Sequence, residues 1–362
     1  MSSARPRIVV TRRIPEPALE LLARAGGVWV SPLDRPLSTD ELHEAITGAD
    51  AVLTLLHDRV DKSFLDAAGP NLKVVANVAV GYDNIDVAAA TERGVLVTNT
   101  PGVLTDATAD LAMALILMVT RRLGEGERVV RAGEKWSWSM FFLLGRGLAG
   151  KTLGVIGLGA IGQAGARRAL TGGLRAAYAR PRRAPAAIEE QLGAAQHLPV
   201  EELLAVADVV SIHCPLTPET RHLIDSERLE LMRPEAYLVN TARGPIVDEA
   251  ALVEALKRGA IAGAALDVFE HEPDVHPGLL ELENVVLVPH LGSATVETRT
   301  AMGVLAARNA IAVLNGERPL TPLNAKALAV AQHAPAPRAP APGPPSGPAP
   351  PPASGPPPLH GG

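Results

Sequence analysis

One cysteine, Cys214, serves a chain of 362 residues. It cannot form an intramolecular disulfide, and a lone thiol builds no metal framework, so no metal site is expected. That usage fits a reducing compartment. Positive charge is not in excess either. A net charge of −5 offers no clustered basic potential for nucleic acid or a membrane surface, and neither is expected as a partner. Long apolar runs are missing too. The start, MSSARPRIVVTRRIPEPALELL, lacks a signal-peptide core. The most apolar run elsewhere, Leu111–Val119, is closed by Asp110 and by Arg121 and Arg122; it is too short to span a bilayer and reads as a buried helix. A cytoplasmic protein is expected. Large apolar side chains then disappear near Ala327, where the chain turns to Ala, Pro and Gly. Residues 326–362 are therefore expected to form a disordered tail of polyproline character, a dispensable extension with a partner-binding arm as the alternative.

What remains is ordinary globular material, 47% hydrophobic and 20% charged. Its length exceeds what one hydrophobic core usually serves, which predicts two domains. Arg7–Thr11, Ala51–Leu55, Leu72–Ala76 and Gly94–Val97 read as short strands, and Glu16–Ala25 as a helix. This alternation implies a parallel sheet covered on both faces. Leu104–Arg131 carries one long helical pattern, weakened at Gly124. Alternation resumes at Lys151 and runs to about Pro289, and Ser293–Asn315 reads as a last helix. The expected fold is α/β: two doubly wound parallel-sheet domains, Rossmann-like and flavodoxin-like, with a cleft between them. The second is inserted between two parts of the first.

Lys151–Ile156 (KTLGVI) has a buried-strand pattern, and Gly157-Leu158-Gly159-Ala160-Ile161-Gly162 follows directly, opening a helix over Gln163–Leu170. In that context the first glycine permits a tight turn and the second lets backbone approach a pyrophosphate. The third lets helix pack on strand, and the helix N-terminus offers free N–H groups to the phosphates. The glycines alone are weak evidence, since 33 glycines should produce this spacing by chance roughly 0.3 times per chain. The flanking strand and helix make it a dinucleotide loop.

The next absence is more informative. A site for NAD places an acid about 20 residues on, at the end of the second strand, to accept from the ribose hydroxyls. Between Gly162 and Glu189 there is no acidic residue. Leu174–Ala179 ends instead at Arg180, Pro181, Arg182 and Arg183. Guanidinium groups bind a 2′-phosphate that a carboxylate would repel. NADP(H) is the preferred cofactor on this reading, NAD(H) the second.

Three further segments place polar residues at the ends of apolar strands, where open α/β sheets gather ligands. YLVNTARG carries Arg243, AALDVFEHEP carries Asp267 and Glu272, and VVLVPHLGSAT carries His290. Together with VAVGYDNID (Val78–Asp86) and NTPGVLTDATAD (Asn99–Asp110), they closely resemble the D-isomer-specific 2-hydroxyacid dehydrogenases, nearest to the glyoxylate/hydroxypyruvate reductases, over roughly residues 5–325. The resemblance implies a catalytic set of Arg243, Glu272 and His290. It implies a substrate domain of residues 1–101 and 290–325 around a cofactor domain of 102–289. It further implies cofactor contacts from Gly157, Gly159, Ala160, Ile161, Gly162, Thr108, Pro215, Thr241, Ala242, Asp267 and Gly292, beside the arginines at 180, 182 and 183. Substrate would meet Val80, Gly81, Arg243, His290, Ser293 and Trp138. Trp138 resembles a residue that reaches into a partner subunit's active site, with Trp136 as a substitute because KWSWSM departs from the usual spacing. A plain dimer-interface anchor is the other reading of this residue, and both readings imply a homodimer. Ala160 departs from the arginine that many relatives carry, and Gly165 is unusual inside the loop's helix. His271 falls outside the set, and Cys214 reads as a packed small residue.

The chemistry suits these residue types. Imidazolium is the acid with pKa nearest neutral pH, so His290 can protonate the oxygen formed by hydride addition. Glu272 can orient it. Arg243 matches a carboxylate and can polarise a keto oxygen. The expected activity is reduction of a small 2-keto acid, glyoxylate or hydroxypyruvate, to the D-2-hydroxy acid. The alternatives are a dehydrogenase for phosphoglycerate or a bulkier 2-keto acid, and a dinucleotide-sensing corepressor on the same fold.

Overall fold

The computed structural model describes residues 5–325; the segment expected as a tail, 326–362, lies outside the described residues. The first sheet comprises β1 (Arg7–Val10), β2 (Gly27–Val30), β3 (Ala51–Thr54), β4 (Val74–Asn77) and β5 (Leu96–Thr98), all parallel in the order β2-β1-β3-β4-β5. The second comprises β6 (Thr152–Ile156), β7 (Arg175–Ala179), β8 (Gln196–His197), β9 (Val209–Ile212), β10 (Tyr237–Asn240), β11 (Gly263–Leu266) and β12 (Val285–Leu287). Its order is β12-β11-β10-β9-β6-β7-β8, again parallel throughout. Both orders reverse at an internal strand, β1 in the first and β6 in the second. At that reversal the loops leaving the carboxyl ends of neighbouring strands diverge and open a ligand crevice.

The helices are α1 (Glu16–Ala25), α2 (Thr39–Ile46), α3 (Lys62–Ala68), α4 (Val87–Glu92), α5 (Thr105–Thr120), α6 (Leu123–Arg131) and α7 (Ala160–Thr171). They continue as α8 (Ala186–Gln191), α9 (Val200–Val206), α10 (Ser226–Leu231), α11 (Glu249–Lys257), α12 (Pro277–Leu280) and α13 (Val296–Leu314). Strands β3, β4, β9, β10 and β11 are buried at every position, as strands covered on both faces must be. Two apolar clusters flank each sheet, one per face. Asp61, Asp86, Asp225, Asp248 and Thr295 cap their helices, each accepting from a backbone N–H in the first turn.

The chain passes from the first sheet to the second after β5 and returns after β12. Helix α13 then packs on α1, β3 and β4 of the first sheet. Residues 321–324 bind back to β5: Val97 N–H donates to Asn324 Oδ1 at 2.8 Å and Leu323 N–H to the Val97 carbonyl at 2.8 Å. The long helix expected over Leu104–Arg131 is two helices. The break falls at Arg122, which is left-handed with φ of 54°, and not at Gly124. A later segment causes it, because Arg146 N–H takes the Thr120 carbonyl at 2.7 Å just where α5 would continue. No described helix is long and apolar enough to cross a membrane.

Candidate active site

Arg243 stands on the turn leaving β10, and one buried asparagine shapes that turn. Asn240 Nδ2 donates to the Arg243 carbonyl at 2.8 Å, and Asn240 Oδ1 accepts from Ala242 N–H at 3.0 Å. The next residue, Gly244, lies so close to the Phe269–Glu270 peptide that a Cβ would overlap the Phe269 carbonyl carbon and oxygen. The turn carrying Arg243 and the loop carrying Glu272 are thereby pressed together. Two carboxylates cross-link them further. Glu270 N–H donates to Glu249 Oε1 at 2.7 Å, Glu249 N–H donates to Glu270 Oε2 at 3.2 Å, and His222 Nε2 meets Glu270 Oε1 at 2.6 Å.

His290 Nδ1 lies 2.9 Å from Glu272 Oε2, while Glu272 Oε1 accepts from Phe269 N–H at 3.1 Å. Burial works to raise the Glu272 pKa, but the hydrogen bond and charge of His290 outweigh it and hold this carboxyl below its ordinary value. His290 itself is left-handed, φ 52°, a conformation costing a non-glycine residue roughly 1–3 kcal/mol. The surroundings impose it. His290 N–H donates to the Asp267 carbonyl at 2.8 Å, and the Asp267 carboxylate accepts from Leu291 N–H at 2.5 Å and Gly292 N–H at 2.9 Å. Asp267 is 1% exposed, and burial pushes its carboxyl above the ordinary value in spite of those bonds. Thr108 Oγ1 closes the turn by donating to the Gly292 carbonyl at 3.0 Å, and half-buried Ser293 follows. A cofactor contact by Asp267 would therefore share oxygens already accepting from two backbone amides. His271, next to Glu272 in sequence, is exposed.

Val80 and Gly81 follow β4 in a loop held by a chain of side chains. Asn77 Nδ2 donates to the Gly81 carbonyl at 3.0 Å and to Asn84 Oδ1 at 3.3 Å. Asn84 Nδ2 in turn donates to the Asp58 carbonyl at 2.9 Å and the Leu55 carbonyl at 3.2 Å. Asp58 is buried and accepts from Thr11 Oγ1 and from Leu55 N–H. His57, on the same loop, has its pKa lowered by burial. The charge of Glu272 opposes that shift and that of His290 adds to it. Asp83 completes the group, with Arg243 Nε donating to its Oδ1 at 3.0 Å. Sequence reading missed Asp83, Asn77, Asn84, Asn240 and His57. Two signals were available: Asp83 and Asn84 lie in VAVGYDNID, and Asn240 lies in YLVNTARG.

The glycine loop joins β6 to α7. Gly157 has φ of 93°, and a Cβ there would fall 2.5 Å from the Cys214 amide nitrogen; one at Gly162 would fall 2.3 Å from the Gly157 carbonyl. At Gly159 a Cβ would meet nothing within 4 Å. The loop is thus tight against β6 and β9 on one side and open on the other. The 12-residue helix α7 begins there with no side-chain cap, which leaves N–H donors for an anion, the fit a pyrophosphate requires. Ile161 packs against the apolar cluster of the first sheet that Leu55 and Val80 also border. Thr241 Oγ1 lies 3.5 Å from His213 Nδ1, and the Pro215 carbonyl accepts from Thr220 Oγ1 at 2.7 Å. Desolvation lowers the His213 pKa to about 4 and raises the Cys214 thiol to about 11, which suits packed groups.

The three arginines after β7 are not equivalent. Arg183, expected at the cofactor with the other two, is held in an ion pair: Nε and Nη2 grip Glu189 at 2.9 and 2.8 Å. Glu189 also accepts from the buried Tyr178 hydroxyl at 2.5 Å. Among the described residues the guanidinium groups of Arg180 and Arg182 have no carboxylate partner. Trp138 is 75% exposed, amid Met140 at 69% and Phe141 at 86%. Trp136 instead stacks on Phe142, ring centroids 6.1 Å apart.

Comparison with known proteins gives the family. Residues 113–292 match the model of the NAD binding domain of D-isomer specific 2-hydroxyacid dehydrogenases. Glyoxylate reductase of Thermococcus onnurineus is 49% identical over 331 residues, covering 90% of this chain and 98% of the relative. Among solved structures, a glyoxylate reductase from Paecilomyes thermophila superposes with a TM-score of 0.81 at 33% identity, covering 89% of this chain and 99% of that one. The NADPH-dependent glyoxylate/hydroxypyruvate reductase of Sinorhizobium meliloti, in complex with NADP and malonate, superposes with a TM-score of 0.75 at 35% identity, covering 88% and 97%. The chain belongs to the D-isomer-specific 2-hydroxyacid dehydrogenases, near the glyoxylate reductases, and is an NAD(P)-dependent oxidoreductase.

Proposed function

We propose that the protein reduces glyoxylate or hydroxypyruvate to the D-2-hydroxy acid, with NADPH preferred over NADH. The carrying observation is the His290–Glu272 pair at 2.9 Å, reached from a loop pressed against the Arg243 turn. When bound at the glycine loop, a dihydronicotinamide dinucleotide would supply the hydride for C2 of the keto acid. His290, with Nδ1 committed to Glu272, presents Nε2 to the substrate and delivers the proton to the oxygen. Glu272 fixes the orientation of the ring. Arg243 and the amides of Val80 and Gly81 hold the carboxylate, with Ser293 beside His290. Residues 1–101 and 290–325 form the substrate domain and 102–289 the cofactor domain, which close on each other and exclude water.

The glycine loop, with Ala160 and Ile161, takes the pyrophosphate. Thr108, Pro215, Thr241, Ala242 and Gly292 line the rest of the cofactor site, and Asp267 acts chiefly by holding the turn after His290. The NADPH preference rests on Arg180 and Arg182, because Arg183 is neutralised by Glu189. A homodimer covers the apolar segment around Trp138, bringing that side chain to the partner's site. Helix α6 beside it has no buried residue although Leu123 and Val130 are 51% and 63% exposed, which supports that reading.

Steady-state reduction of glyoxylate, hydroxypyruvate and pyruvate with each cofactor tests the assignment. Expected are turnover of the first two and a higher kcat/KM with NADPH. Equal or better kcat/KM with NADH would overturn the cofactor preference. His290→Ala should abolish reduction while NADPH still binds. Arg180→Ala and Arg182→Ala should raise the KM for NADPH and leave that for NADH little changed.

A further inference from the structure

We propose that Asp83 is a positioning residue for Arg243: a loop of the first sheet sets how the arginine of the second sheet meets a substrate carboxylate. The two residues are 160 apart in sequence, and Arg243 Nε donates to Asp83 Oδ1 at 3.0 Å. A guanidinium presents five N–H donors in one plane. Here the Nε donor is spent on Asp83, and Nη1 donates to the Ala242 carbonyl at 2.7 Å. Bonds at Nε and at Nη1 fix both the plane and its rotation. Nη2 is then directed at Gly81, whose absent Cβ would stand 1.9 Å from it and 3.0 Å from Asp83 Oδ1. The donors left over therefore lie beside the Gly81 backbone, where a carboxylate would be gripped from both sides.

Asp83 suits this task because nothing else engages it. Among the described residues it accepts from Arg243 alone, and its turn is fixed at the next residue by Asn84, bound to Leu55 and Asp58. The pair is partly exposed, 23% for Arg243 and 34% for Asp83, so it adds little to folding stability. A carboxylate so close to the site also repels an anionic substrate. Its contribution is therefore orientation, and because it comes from the other sheet, the arginine is aligned only when the two sheets stand in this arrangement.

The turnover arm of the test rests on the reductase reading, and a binding arm does not. Asp83→Ala should raise the KM for glyoxylate about tenfold while kcat and the KM for NADPH change less than about threefold. Asp83→Asn keeps an acceptor oxygen without the charge and should restore the KM to within about threefold of wild type. In an Arg243→Lys background, Asp83→Ala should add almost nothing, because the pair is already broken. Oxamate binding to the NADPH-loaded protein, read by nicotinamide fluorescence, should weaken in parallel with the KM. A KM and oxamate affinity within twofold of wild type in Asp83→Ala would overturn the proposal, as would a fall in KM or an Asp83→Asn variant as impaired as the alanine. If the wild type reduces no 2-keto acid, the functional reading fails, and the oxamate series alone decides on Asp83.

Discussion

Glu189 shows how one carboxylate can redirect a cluster of arginines. Gripped by Arg183 and by the Tyr178 hydroxyl, its carboxyl is held down to about 2. Because the folded value lies below the ordinary glutamate value of about 4.3, what this ion pair contributes is fully present above that value and is lost as pH falls toward 2. Arg183 is thus neutralised across every practical assay pH. Glu189→Gln should free it, lowering the KM for NADPH roughly two- to fivefold, the effect of one added exposed charge, with the KM for NADH little altered. Parallel initial-rate series at pH 7 check this; an unchanged NADPH KM would mean that Arg183 does not face the cofactor. Arg243, Glu272 and His290 stood out in the sequence as candidates because each follows a strand in an ordered set of motifs. The sequence could not show that Glu189 turns back from α8 onto Arg183, or that Asp83 reaches Arg243 across 160 residues. Those contacts exist only once the sheets have assembled.

Helix α7 carries Gly165 where its neighbours are ordinary helix formers. A Cβ there would meet only His213 Nε2 at 3.7 Å, an ordinary contact. Gly165→Ala should stabilise the protein by about 0.5–1 kcal/mol, the cost of a mid-helix glycine. A higher urea midpoint at unchanged m value would show it; a lower midpoint would mean that the helix needs this bare position to approach β9. Elements with buried β-branched runs were legible in the sequence. The edge strands β2 and β8 were not: Gly27–Val30 has no fully buried position to mark it, and Gln196–His197 is only two residues long. The end of α5 was misplaced for another reason. Arg121 and Arg122 have no intrinsic need to stop a helix, and the stop is made by the segment at Arg146.

At the scale of the whole molecule, side chains of the second sheet's loops reach the first: Ile161 packs on the first sheet's cluster and Arg243 binds Asp83. The glycine loop and Arg243 each have one of these contacts beside them, so a displacement of one sheet against the other disturbs both together. The proposed dimer should be visible as a mass of two chains by light scattering, and Trp138→Ser with Phe141→Ser should shift the population to monomer. A wild-type mass of one chain at micromolar concentration would exclude it.

The exposed run from Trp136 to Leu144 also makes stability a matter of abundance. If association covers it, the folded protomer is drawn forward by mass action, and its melting temperature should climb with protein concentration. At low abundance the same run stays wet, open to proteases and to chance adhesion. The amount of enzyme present would then help to decide how long each copy lasts.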